Sequence, residues 1–267
     1  MIKDITIGQY FPGKSPVHRM DSRVKMVLTA VFIVMLFVAD NFLGLLIGIM
    51  FTFVTYALSR IPVKMMLKSL KPIVPIIIFT AILNLFFIRT GDVLFQFKFI
   101  IITYNGVSMA GFMIIRIICL IVGTSLLTYT TSPIDLTDAI ERLLSPLKKI
   151  KVPVHELAMM MTIALRFIPT LIEETDKIMS AQKARGADME TGSLVQRAKA
   201  LTPILIPLFV SSFRRAEELA LAMECRCYHG GEGRTRMKQL RTSAVDYAAF
   251  LYTAVFLAGV IVVNHLT

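Results

Sequence analysis

Charged residues are scarce in this sequence, and acidic ones are scarcer than basic ones. Charged residues make up 18% of the 267 positions and hydrophobic residues 55%, and 29 Lys and Arg stand against 18 Asp and Glu. Soluble domains usually contain about 25% charged residues, so the composition excludes an ordinary soluble fold. A chain that is both apolar and basic is typical of a membrane protein that obeys the positive-inside rule, or of a membrane-anchored nucleic-acid binder.

Cysteine is also rare, which argues against a disulfide framework. The three cysteines are Cys119, inside an apolar run, and the closely spaced Cys225 and Cys227. Structural zinc sites usually need four ligands, and Cys225, Cys227 and His229 have no second Cys/His cluster to complete a set. We therefore expect no metal site.

Several functional motifs are missing. The chain has no G-x-x-x-x-G-K-[ST] loop, no nucleophile elbow and no acidic residue inside an apolar run that would suit an ion-coupled carrier. The N-terminus lacks the apolar core of a cleavable signal peptide. We expect a non-catalytic protein that binds no cofactor itself.

Five apolar stretches predict membrane-spanning helices, at residues 26–39, 42–58, 73–88, 107–128 and 244–263. Several are shorter than the ~20 residues needed to cross the hydrocarbon layer, but flanking Lys and Arg can extend them by snorkelling. The spacing predicts a membrane domain of four helices at 1–130, an insertion at 131–241 and a C-terminal span at 242–267.

The positive charges indicate the orientation. Of the 29 Lys and Arg, 26 lie in three segments, 1–25, 59–72 and 129–243. Each of these segments is separated from the next by two predicted spans, so all three lie on the same side of the membrane. The positive-inside rule makes that side cytoplasmic. The N-terminus and the insertion are therefore predicted to be cytoplasmic and the C-terminus outside.

Two features of the membrane part need separate interpretation. The connection at 89–106 alternates apolar and polar residues between turn signals, which predicts a hairpin or an amphipathic lid.

Arg116 is the only charge deep in a span, and such a charge is a functional candidate. With no acidic partner deep in the other spans, a structural Arg that bonds carbonyls or faces a partner subunit is the favoured interpretation.

The insertion predicts three helices. Ser132, Pro133 and Asp135 have the pattern of a helix start, and a short amphipathic helix follows. Two long helices are predicted at 154–185 and 194–226. Their apolar halves resemble further spans, but crossing would place Lys and Arg residues outside, so we interpret both as interfacial helices.

The ends of the two long helices resemble each other. Residues 172–186 align without gaps on 213–227, which places Arg185 on Arg226. An Arg at a helix C-terminus can satisfy the helix's own carbonyls, or it can project as a forked donor into a partner. Recurrence on two adjacent helices favours a pair of matched contacts.

Four strings, occurring in order along most of the chain, resemble a known family. They are GQYFPGKSPVHRMDSRVK, TTSPIDLTDAIERLLSPL, HELAMMMTIALRFIPTLIEE, and AQKARG with its second copy in AMECRCY. The sequence resembles the transmembrane T component of energy-coupling factor (ECF) transporters of bacteria and archaea. The resemblance implies an all-α polytopic membrane protein with about five transmembrane helices and a cytoplasmic module of long crossing coupling helices.

The resemblance also implies partners. Two ABC-type ATPases would bind ATP and magnesium, and a small membrane subunit, the S component, would capture a vitamin or other micronutrient. Several interchangeable S components could serve one scaffold, and no nucleic acid is involved. The T component would transmit motion from the ATPases to the S component through two Ala-Arg-Gly motifs.

Carried over residue by residue, the first motif is intact and the second is altered. Ala184, Arg185 and Gly186 match fully, whereas only Arg226 matches in the second motif, since Cys225 and Cys227 replace its small residues. The apolar helix faces would hold the S component. The candidate residues are Leu157, Met160, Met161, Leu165, Ile168, Leu205 and Leu208.

Two other functions are less compatible with the sequence. A self-contained secondary transporter or channel would need polar sites near the midplane, where only isolated residues such as Asn84 occur beyond Arg116. A nucleic-acid binder would use the basic insertion, but its cations alternate with acids and few aromatics lie among them.

Overall fold

The computed structural model describes residues 10–88, 90, 92–97, 100–187, 194–230, 240 and 242–266. The chain divides into two compact units. One, here called the membrane unit, comprises Gln9–Ala139 with Gln239–Thr267, and the other, the two-helix unit, is centred on Ile140–Lys238. The three-part division made from the sequence stays a prediction.

The membrane unit is built from helices and one hairpin. Its elements are α1 Pro16–Arg19, α2 Ser22–Val38, α3 Phe42–Ser59, α4 Val63–Leu70, α5 Val74–Phe87, β1 Val93–Phe97, β2 Ile100–Thr103, α6 Tyr104–Thr130 and α10 Ala244–Leu266. Helix α7, Pro133–Leu143, contains the boundary between the units, and α8 Val154–Ala184 and α9 Leu194–Glu224 form the two-helix unit.

The fold class predicted from the sequence is confirmed. Within the described ranges, five helices are long and apolar enough to cross a membrane. They are Phe42–Ser59, Val63–Phe87, Tyr104–Thr130, Val154–Ala184 and Ala244–Leu266. The chain is an all-α, multi-pass membrane protein, and four of these helices coincide with predicted spans.

Length and composition leave two assignments open. The first predicted span is α2, which has 17 residues, one fewer than α3, and its crossing of the membrane stays a prediction. Conversely, α8, which we interpreted as interfacial, is long and apolar enough to span, although its most apolar stretch is the least apolar of the five. Length and composition therefore do not separate α8 from a span, and its interfacial placement stays a prediction.

Helix α2 lies in the centre of the membrane unit because its neighbours provide space for its large side chains. Met35 and Leu36 are fully buried, and the Phe32 ring stacks on Phe51 with centroids 5.2 Å apart. A Cβ built on Gly123 of α6 would lie 2.1 Å from the Phe32 ring. Only glycine at 123 therefore allows Phe32 to pack this closely against α6.

Three local predictions are confirmed. Strands β1 and β2 pair antiparallel as a hairpin. At the start of α7, Ser132 Oγ accepts a hydrogen bond from the Asp135 N–H at 3.1 Å. The Arg116 guanidinium donates to the Ala39 carbonyl and lies 4.6 Å over the Phe112 ring, as expected of a structural Arg.

Candidate functional site

Helix α8 ends in a left-handed C-cap. Gly186 has φ +84°, its N–H donates to the Lys183 carbonyl at 3.0 Å, and the Ala187 N–H donates to the Gln182 carbonyl at 3.0 Å. These paired bonds define a Schellman motif, with glycine at its left-handed position. Arg185 is the residue immediately before that position, so the turn fixes where its backbone leaves the helix.

Helix α9 ends in the same motif without a glycine. Cys227 has φ +54°, its N–H donates to the Glu224 carbonyl at 2.8 Å, and the Tyr228 N–H donates to the Met223 carbonyl at 3.0 Å. Arg226 therefore occupies the position that Arg185 occupies on α8. The sequence alignment matched the residue letters, and the structure shows that the backbone geometry matches as well.

Both arginines are available to a partner. Ala184, Arg185 and Gly186 are exposed, as are Cys225, Arg226 and Cys227. Within the part of the chain that the structure describes, neither guanidinium has a hydrogen-bond or ion-pair partner. Neither arginine therefore satisfies the carbonyls of its own helix.

A polar contact joins α8 to α9. Glu174 accepts hydrogen bonds from Ser211 Oγ and from Arg215, whose Nη2 lies 2.8 Å from Glu174 Oε2. These side chains are half-buried to exposed, so the ion pair contributes at most about 1 kcal/mol. Its main consequence is to fix the register of the two helices.

A second contact lies farther along the same pair. Pro207 has no N–H, so the Pro203 carbonyl four residues earlier loses its helical partner. The Gln182 side-chain amide of α8 donates to that carbonyl at 3.4 Å. Because Gln182 follows Glu174 on α8 while Pro203 precedes Ser211 on α9, the two helices run antiparallel through this region.

The register places the two arginines at opposite ends of the helix pair. Arg185 lies eleven residues beyond Glu174, and Arg226 lies eleven residues beyond Arg215. At 1.5 Å per residue, each arginine lies about 16 Å from the Glu174–Arg215 contact, in opposite directions. The two-helix unit thus presents two matched cations at most about 33 Å apart along its axis.

The residues predicted to hold the S component divide into two groups. Leu157, Met160, Met161 and Ile168 of α8, and Leu205 of α9, are exposed, and Leu165 and Leu208 are half-buried. The α8 group lies N-terminal to the Glu174 contact, whereas the α9 residues lie inside the crossing. Their role stays a prediction.

Sequence reasoning missed a polar cluster that ties the N-terminal motif to α10. The Asp246 carboxylate, 2% exposed, accepts hydrogen bonds from the Asp21 N–H at 2.9 Å and the Ser243 N–H at 2.7 Å. The Asp21 carboxylate caps α2 and binds Arg23, whose Nη2 lies 2.6 Å away. Burial raises the pKa of Asp21, but the hydrogen bonds from Arg23 outweigh burial, so the pKa is lowered.

Lys25 connects the same motif to the end of α6. Its Nζ donates to the Thr130 carbonyl at 2.9 Å and to the His18 carbonyl at 3.2 Å. His18 in turn bonds the Phe11 carbonyl at 2.9 Å. The available signal was an Asp N-cap followed by Arg and Lys in the first turn of an otherwise apolar helix.

The comparisons with known proteins all indicate membrane transport proteins. The family described as "Cobalt transport protein" (CbiQ) matches residues 13–237. A protein of Ruminiclostridium cellulolyticum named "Energy-coupling factor transporter transmembrane protein EcfT" is 56% identical over 265 residues, covering 99% of both chains. Proteins of the same name are 57% identical in Clostridium kluyveri, over 94% of this chain and 93% of theirs, and 46% identical in Bacillus subtilis, over 97% of both.

Proposed function

The chain belongs to the family of energy-coupling factor transporter transmembrane proteins, and on this premise we propose that it couples two ABC-type ATPases to a substrate-capturing S component. ATP and magnesium bind to the ATPases, not to this chain. The cargo is a vitamin or another micronutrient, chosen by the S component.

The observation that carries the proposal is the matched pair of helix ends. Arg185 and Arg226 stand at the same position of two Schellman motifs, both are exposed, and they lie at opposite ends of the antiparallel helix pair. Two equivalent sockets on two related ATPases would require such an arrangement. A guanidinium presents several N–H donors in a rigid fork, which suits a groove lined by carboxylates or carbonyls.

The altered second motif fits the same role. Cys227 adopts the left-handed conformation that glycine adopts in the first motif. Cysteine is small and thus permits close approach of a partner. The position of Arg226 therefore depends on the backbone conformation of the cap and not on the presence of glycine.

Motion of the ATPases would pass through the crossing. When ATP binding closes the ATPase pair, the two sockets change separation and the helix ends follow them. The hydrogen bonds from Ser211 and Arg215 to Glu174 couple the movement of α8 to that of α9. The exposed apolar side chains, among them Met160 and Met161, would then tilt or release the S component.

The orientation follows from the same proposal. The ATPases are cytoplasmic, so the two-helix unit and the N-terminus face the cytoplasm and the C-terminus lies outside. This agrees with the distribution of Lys and Arg.

Replacement of each arginine tests the proposal. We expect Arg185→Ala and Arg226→Ala each to weaken co-purification of the ATPases and to reduce uptake, while insertion into the membrane is unchanged. Arg214→Ala is the matched control, because Arg214 is an exposed Arg of α9 outside both motifs. If both variants bind ATPases and support uptake as well as the Arg214 control, the coupling role is wrong.

A further inference from the structure

Helix α4 carries a basic face that the proposed function does not use. Lys64 and Lys68 of α4, and Lys71 directly after its last residue, have the spacing i, i+4, i+7, which places them on one side of the helix. All three are exposed, and among the described residues none of their ammonium groups has a hydrogen-bond or ion-pair partner. No Asp or Glu occurs between Asp40 and Asp92, so this stretch of the chain supplies no neutralising charge.

An adjacent side of α4 is fixed to the membrane unit. Tyr129 of α6 donates a hydrogen bond from its hydroxyl to the Met65 carbonyl at 3.1 Å. The Met65 side chain packs on the buried cluster of Ile61, Leu126 and Tyr129. The face that carries the lysines is therefore held in one orientation.

Apolar side chains share the free surface of the helix. Val63 and Leu67 are 56% and 58% exposed. A turn of 3₁₀ helix, Lys71–Ile73, leads directly from α4 into α5, so that α4 forms one end of the span Val63–Phe87. Exposed apolar side chains beside lysines, at the end of a span, are typical of a helix that lies in the membrane interface.

We propose that α4 is a binding site for anionic phospholipid. Lys64, Lys68 and Lys71 bind headgroup phosphates, while Val63 and Leu67 contact the adjoining acyl chains. Basic residues next to a membrane attract anionic lipids. An acidic protein surface would be complementary to the lysines alone and would leave the apolar side chains and the continuity with α5 unexplained.

The absence of tryptophan from the chain allows a direct test. A Leu67→Trp variant of the full chain, reconstituted into phosphatidylcholine vesicles that contain a minor fraction of phosphatidylglycerol, carries one fluorescent reporter at α4. Bromine on either lipid quenches that reporter on contact. We expect brominated phosphatidylglycerol to quench with a preference of about threefold or more over brominated phosphatidylcholine, decreasing at high salt.

Three further variants make the result specific. Adding Lys64→Gln, Lys68→Gln and Lys71→Gln together should abolish the preference. Adding Lys148→Gln, Lys149→Gln and Lys151→Gln, three exposed lysines elsewhere in the chain, removes the same charge and should leave it. A Phe87→Trp reporter, at the other end of α5, should show no comparable preference.

Three outcomes would overturn the proposal. They are equal quenching by both lipids, a preference that survives the α4 triple variant, and a preference that the control triple variant also removes. If lipid preference survives but the α4 triple variant no longer co-purifies with ATPases, the lysines bind an acidic protein instead of lipid. None of these outcomes depends on the coupling role of Arg185 and Arg226.

Discussion

Glycine and cysteine occupy the same left-handed position in the two helix ends, and exchanging them should have opposite effects. Gly186→Ala places a side chain where φ is +84°. The new Cβ would meet no other atom within 4 Å, so the cost is one of backbone conformation only. A left-handed non-glycine residue costs about 1–2 kcal/mol, and the smaller freedom of alanine in the open state offsets about 0.4–1 kcal/mol, so we expect the α8 cap to be destabilised by about 0.5–1 kcal/mol.

Cys227→Gly should stabilise the α9 cap. It removes the same left-handed cost of about 1–2 kcal/mol. Glycine also has more conformational freedom in the open state, which offsets about 0.4–1 kcal/mol of this stabilisation. The net gain is therefore about 0.5–1 kcal/mol. Cys227→Ala is the matched control, because alanine keeps the backbone cost and removes only the thiol.

Hydrogen exchange measures these changes at the amides that close each cap. Because 1.4 kcal/mol is a factor of ten, the Gly186 and Ala187 amides should exchange about two- to fivefold faster in Gly186→Ala. The Cys227 and Tyr228 amides should exchange about two- to fivefold more slowly in Cys227→Gly. If Cys227→Ala slows exchange as much as Cys227→Gly, or if Gly186→Ala changes nothing, the two caps do not share the proposed backbone geometry.

The membrane unit offers two further tests by thermal denaturation in detergent. Gly123→Ala should lower the free energy of unfolding by about 1–3 kcal/mol through overpacking, since the new Cβ would clash with Phe32. Gly111→Ala in the same helix is the control, because its Cβ meets no atom within 4 Å. Equal melting temperatures of the two variants would contradict the close packing of Phe32 against α6. Asp246→Ala leaves the buried Asp21 N–H without an acceptor and should cost about 2–3 kcal/mol, and an unchanged melting temperature would show that the cluster does not hold α10.

Sequence patterns of short range predicted the helices well. The limits of α8 and α9 were predicted to within two residues, because capping residues and apolar periodicity act over a few positions. Arg185 and Arg226 were found from an internal alignment, which needs no knowledge of the fold. Hydropathy alone was less successful with α8, whose apolar half is compatible with both a span and an interfacial helix.

What the sequence by itself determined is the class of protein, the position of its helices and the two arginine-bearing ends. Only the tertiary structure decided that Cys227 adopts the conformation of Gly186, that Glu174 joins α8 to α9, and that Asp21 and Lys25 tie the N-terminal motif to residues 225 and 105 positions away. Contacts over such separations leave no local periodicity. They depend on which surfaces meet after the helices have packed, and a side chain such as Lys25 therefore shows its partners only in the folded chain.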